Sequence, residues 1–161
     1  MANAIKNQNP VYRAFEGDIT FYMAKSYSRQ PLKNKFEIES ILEDYNLRIS
    51  LFKKNEDLEN GIIVFPAIPK IEFFGELLEF DYSELSESES TVIFKGDLKV
   101  LCNKKQKTFL GSIKKIDDTV FIKANLTLDT SEFDFEKVLN CPKTLSSAKT
   151  VSVEVSLQLK A

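Results

Sequence analysis

The sequence predicts an all-β domain, built as a barrel or a sandwich, and three observations carry that expectation. Apolar and polar residues alternate with period two over most of the chain. About eight such runs occur, many near ten residues and longer than the usual strand of about 5–6. The length, 161 residues, suits one domain, and no fixed-period repeat, composition break or linker divides it. Long strands leave exposed edges, which closure into a barrel removes. An eight-stranded barrel is either filled by side chains or holds one ligand.

The first run places Phe15, Gly17, Ile19, Phe21 and Met23 on one face against Glu16, Asp18 and Thr20. The second sets Leu32, Phe36, Ile38 and Leu42 against Lys33, Lys35, Glu37 and Glu39. In the third, Tyr45, Leu47, Ile49 and Leu51 face in, with Asn46, Arg48 and Ser50 facing out. Ile71 and Phe73 begin a strand whose alternation changes phase around Phe74 and Gly75, as at a bulge. Val92, Phe94, Gly96, Leu98 and Val100 oppose Lys95, Asp97 and Lys99. A shorter strand holds Phe109, Gly111 and Ile113 and ends at the turn-forming pair Asp117-Asp118. Val120, Ile122, Ala124, Leu126 and Leu128 follow, and the cleanest alternation, Val151 to Leu159 on the odd positions, closes the chain.

Three stretches break the pattern. Residues 55–69 begin acidic and end in an apolar segment closed by Pro66 and Pro69. Ser131 to Val138 has a Ser at an N-cap position and acids in the first turn, which predicts a short helix. Ser83 to Ser90 reads as a solvated acidic hairpin loop.

Composition narrows the chemistry. Lys and Arg number 22 against 24 Asp and Glu, a net charge of −2, without the basic field of a dedicated nucleic-acid binder. There is no histidine. A Ser-His-Asp triad, a Cys-His dyad or a His-ligated metal therefore cannot be built from this chain alone. The glycines at 17, 61, 75, 96 and 111 form no phosphate-cradling loop. Cys102 and Cys141 have no CxxC spacing; one disulfide or two buried thiols remain equal readings. No run of about 18 apolar residues predicts a membrane-spanning helix. Residues 1–13 are expected to be a polar tail without the apolar core of a signal peptide, and residues 14–161 the domain.

Thirteen Phe, five Tyr and no Trp imply a large dry interior or an apolar cavity. The inward set mixes large groups (Phe21, Phe36, Phe73, Phe94, Phe109) with small ones (Gly17, Asn34, Ser40, Gly96, Gly111, Ala124). The small residues either hollow out a pocket or make room for neighbouring rings. Asp129, Glu132 and Asp134 beside Ser131 read as a cap and turn before they read as an acid/base site. Lys104-Lys105-Gln106-Lys107 reads first as a solvated hairpin turn, second as a contact for a phosphate or anionic headgroup at a barrel mouth. Asn125-Leu126-Thr127 is a glycosylation sequon placed mid-strand, best read as chance.

Four segments resemble a known family. Pro69-Lys70-Ile71-Glu72-Phe73 is similar to a P-x-I-x-F entry into a central strand, and Phe94 to Val100 to a strand containing G-D-L. Leu126 to Phe133 resembles L-x-L-D-R-S-D-F, with Thr130 where Arg is common, and Val151 to Leu159 resembles the closing strand. The family is the YceI-like proteins, and the likeness runs from about Ala14 to the end. It departs at Cys102 to Lys107, where the family has G-V-T-K, and at Asp134, where Gly is common. The resemblance implies a single antiparallel eight-stranded lipocalin-like barrel with one or two short helices. It also implies a polyisoprenoid or other long lipid as ligand, a non-enzymatic role, and a periplasmic or otherwise exported location.

On that reading Phe21, Phe36, Ile38 and Ile49 are the candidate ligand contacts, and Asn34, Ser40 and Tyr45 the candidates for a headgroup hydrogen bond. A buried chain gains about 0.8 kcal/mol per CH₂. No cofactor and no nucleic acid is called for, and a homodimer is left open. The alternative is a filled barrel acting as a protein-interaction module through outer residues such as Tyr22, Phe52 and Phe121. An isomerase or cyclase in the same barrel ranks last, without His or a convincing carboxylate pair.

Overall fold

Alternation of period two over eleven residues, as in Thr119–Asp129 and Thr150–Lys160, gives each strand one apolar face to bury. The computed structural model describes residues 11–25, 28–32, 36–53, 69–129, 131–133 and 150–161. Within them lie β1 (Val11–Lys25), β2 (Ser28–Leu32), β3 (Phe36–Glu43), β4 (Asn46–Lys53), β5 (Ile71–Leu78), β6 (Ser90–Val100), β7 (Asn103–Ile116), β8 (Thr119–Asp129) and β9 (Thr150–Lys160). Every pairing is antiparallel, and each strand from β3 to β9 pairs with its sequence neighbour. Pairing of β1 with β9 along Arg13 to Met23 closes the ring. The opposite edge of β1 is shared: Val11 to Arg13 pair with β3, and Phe21 to Lys25 with β2. The result is a closed antiparallel barrel of eight strand positions, as the family resemblance implies.

Two-residue turns define one end, the lower, at Asp44-Tyr45 and Asp117-Asp118, and the Leu101-Cys102 turn marks the upper. The first residue of each turn has a positive φ of 53–57°. Asp tolerates this conformation, whereas Leu101 is an unusual occupant. That explains a correction. With no Gly, Asn or Asp at 101 to announce the turn, the lysine run 104–107 looks like the hairpin loop, yet it lies inside β7, a strand of 14 residues.

Three further expectations change. Phe15 is not inward: the register of β1 on β9 shifts between Ala14 and Glu16, and Phe15 is 51% exposed with the Lys160 ammonium 4.6 Å from its ring centre. Tyr12 and Ala14 supply the inward face before the shift, and Gly17, Ile19 and Phe21 supply it after. The phase change at Phe74 does not occur, because β5 keeps one register against both neighbours. Gly75 continues the inward row, and Phe74 stays outside beneath the Arg48 guanidinium at 5.2 Å. Tyr45 is a turn residue, 37% exposed, in an aromatic group with Phe80 and Tyr82.

The acidic loop opens with one 3-10 turn, Tyr82–Glu84. Ser131 to Phe133 form a turn, and the remainder of the helix expected over 131–138 lies outside the described residues, as does residues 55–68. Cys102 is an exposed free thiol rather than a buried one, and Cys141 is outside the described residues.

Candidate functional site

The barrel interior is the candidate site, and its two halves differ. Near the lower end Leu42, Val92, Ile113, Val120, Leu157 and Leu159 are at most 1% exposed and fill the bore. Below them Tyr12, Tyr45, Phe80 and Tyr82 gather, and the Tyr82 hydroxyl donates to the Asp44 carbonyl. Burial, with the nearby Tyr12, Asp44 and Tyr45, pushes the Tyr82 phenol above its usual range, so it stays a neutral donor. Ser40, opposite Ile49 on the inward face of β3, is 4% exposed, and its hydroxyl has no hydrogen-bond partner among the described residues.

From mid-barrel toward the upper end runs a cavity of about 50 Å³, lined among the described residues by apolar side chains alone. Its walls include Phe21, Ile49, Phe73, Phe94, Phe109 and Ala124. A water needs about 10–15 Å³ of such space, while sites for drug-sized ligands span about 300–1,000 Å³. This is a narrow bore, not a preformed lipid chamber.

The glycines explain the narrowness. A Cβ on Gly75 would lie 2.4 Å from Cζ of Phe73, and one on Gly111 2.5 Å from Cε2 of Phe94. Aromatic rings therefore occupy the room that these glycines release. Phe109 bridges the group, with its ring centre 5.1 Å from Phe73 and 5.3 Å from Phe94.

At the upper end, among the described side chains, the inner wall changes character on β7. Direct pairing puts Phe109, Lys107 and Lys105 of β7 on the face of Phe94, Gly96 and Leu98 of β6. Lys107 pairs with Glu132, its ammonium 5.8 Å from the ring centre of buried Phe133. Asp129 accepts from the backbone amide of Ser131 at 2.9 Å and its hydroxyl at 2.8 Å, which holds the carboxyl below its usual range. These bonds form the turn expected there. Asp134 lies outside the described residues, among which no group of acids or cysteines is arranged to hold a metal.

No protein-family model and no curated protein matches the chain. Solved structures do. The chain is similar to a polyisoprenoid binding domain from Saccharophagus degradans implicated in plant cell wall breakdown, with TM-score 0.66 and 12% identity over 93% of this chain and 98% of that one. BcnA from Burkholderia cenocepacia matches with TM-score 0.49 and 10% identity, covering 90% of this chain and 96% of that one. The chain has the YceI-like barrel fold.

Within this YceI-like barrel, Phe21 and Ile49 line the cavity, and half-buried Ile38 packs against the core. Phe36 pairs with Lys53 at the upper end of β3, and Asn34 is outside the described residues. Tyr45 belongs to the closed lower end, away from the cavity. Sequence reasoning did not place Lys105 and Lys107 on the inner face, because only the Leu101-Cys102 turn sets their register. Outside, Phe52 and Phe121 are half-buried, the latter with the Lys114 ammonium 5.5 Å from its ring centre. Among the described residues the strongly exposed apolar side chains are instead Phe15, Phe74 and Leu110.

Proposed function

We propose that the barrel binds or carries an elongated apolar ligand, an isoprenoid or other lipid chain, without catalysing a reaction on it. The observation that carries this reading is the cavity: a bore walled, among the described residues, by apolar side chains, packed shut at one end and reaching toward the other. A chain entering it exchanges water for hydrocarbon at about 0.8 kcal/mol per CH₂. At about 50 Å³ the bore accepts a chain only if rings move, and Phe109, half-buried beside fully packed Phe94, is the least buried ring of its wall. The similar Saccharophagus degradans domain, named for polyisoprenoid binding, supports the same ligand class.

A second reading rests on a different observation. Leu78, Ile93 and Leu110 pair side by side on the outer face of β5, β6 and β7, and Leu110 is 60% exposed. A barrel filled by its own rings would use such a row to meet a protein partner.

Native mass spectrometry of the full chain, purified from a lipid-containing host, separates the two. A co-purifying lipid of defined mass, released on unfolding, supports the carrier. A bare chain that also fails to take up added farnesol or cetyl alcohol overturns it and leaves the filled barrel.

A further inference from the structure

A barrel made only to enclose hydrocarbon has no use for cations on its inner wall. Down the inward row of β7 the side chains run Ile113, Gly111, Phe109, Lys107, Lys105, while the paired row of β6 runs Val92, Phe94, Gly96, Leu98, Val100. The inward row of β7 is thus apolar from the packed end to Phe109 and then carries two lysines, which stand beside the apolar lining of the bore and are not part of it. Successive inward residues on a strand are about 7 Å apart, so the two lysines span the last stretch of wall.

Their surroundings differ. Lys107 is matched by Glu132, and its ammonium lies over the Phe133 ring. Lys105 is exposed and has no ion-pair partner among the described residues. By contrast its outward neighbour Lys104 faces Asp97 at 3.6 Å. Of the described acids on the turn after β8, Glu132 is engaged by Lys107 and Asp129 by Ser131. Lys105 is left as a cation beside Leu98, a residue of the cavity wall.

We propose that the ligand is an anionic amphiphile whose carboxylate or phosphate head is held by Lys105, with Lys107 beside it, while its chain lies in the bore. This rests on the lipid-carrier reading above. An ammonium is a point charge with three donors and suits either head. The chain gives affinity, and the lysines choose the head and fix which end of the ligand enters first.

The test uses four probes with the full-length protein: palmitate and farnesyl phosphate, and their neutral counterparts cetyl alcohol and farnesol. Affinities are measured by displacement of a bound fluorescent lipid, for the parent, Lys105→Gln and Lys107→Gln. Each anion should bind about tenfold or more tightly than its alcohol, the order expected for a charge-assisted hydrogen bond. Lys105→Gln should remove that preference and leave alcohol affinity unchanged, which also reports that the variant is folded. Added salt should shrink the preference in the parent. The anion bound more tightly names the head, carboxylate or phosphate. Equal affinity for anions and alcohols, or a preference that survives both substitutions, overturns the headgroup assignment and leaves the carrier reading standing. Failure of all four probes overturns both.

Discussion

Gly96 and Gly75 face each other across β6 and β5, and a Cβ on Gly96 would fall 2.3 Å from the Gly75 Cα. The same Cβ would lie 2.3 Å from the Phe74 carbonyl oxygen, so both obstacles are backbone and neither can rotate aside. Gly96→Ala should therefore destabilise the barrel by about 1–3 kcal/mol, the range of overpacked cores. Gly17→Ala meets first a Leu157 methyl at 3.0 Å, which can shift, and should cost less. Urea unfolding of the two variants checks the order; equal costs would show that the strands separate readily at this point.

Faces along a strand should separate cleanly in stability. Phe94 and Ile122 are at most 1% exposed, and replacement of either by Ala should cost about 2–5 kcal/mol. Lys95 and Lys123 are exposed neighbours on the same strands, and their replacement by Ala should stay within about 0.5 kcal/mol. Chemical denaturation of the four variants measures this, and comparable losses on both faces would contradict the observed register.

Ala124 lines the cavity at 5% exposure, 3.3 Å from where a Gly111 Cβ would stand. Ala124→Phe places a ring in the bore. The expected outcome is loss of lipid uptake together with about 1–3 kcal/mol of stability from overpacking. Uptake and thermal melting are measured on the same sample. A folded variant that takes up the same lipid with unchanged affinity would remove the bore as the ligand site.

Two exposed carboxylates set an acid dependence. Ser131 donates twice to Asp129, and the Ser83 amide donates to Asp81 at 3.0 Å, so both folded values lie below the ordinary 3.8. A depressed folded value means that each carboxylate stabilises the fold above the unfolded value and loses that contribution as pH falls through the folded one. The melting-temperature gap between parent and Asp129→Asn should thus be constant from about pH 5 to 7 and shrink as pH falls below about 4. A gap that widened in acid would reverse the assigned sign.

Period-two alternation alone determined the all-β class and the inward rows of β6, β8 and β9, where each strand keeps one register throughout. It failed where hydrophobicity and direction part company. Phe15 and Phe74 are aromatic yet outward, because a register shift turns one and the inward demand at Gly75 turns the other, and a cation over each ring makes the exposed position tenable. The lysines of β7 show the converse. Their polarity reads as solvent-facing, but a positive-φ turn at Leu101 puts Lys105 and Lys107 on the inner wall, where nearness to the barrel end lets them reach water. The size of the bore was equally out of reach of the sequence: an inward glycine is either empty space or a seat for a neighbouring ring. Only the cross-strand geometry, with Phe73 over Gly75 and Phe94 over Gly111, decided that the rings fill it, because side chains from separate strands compete for the same volume.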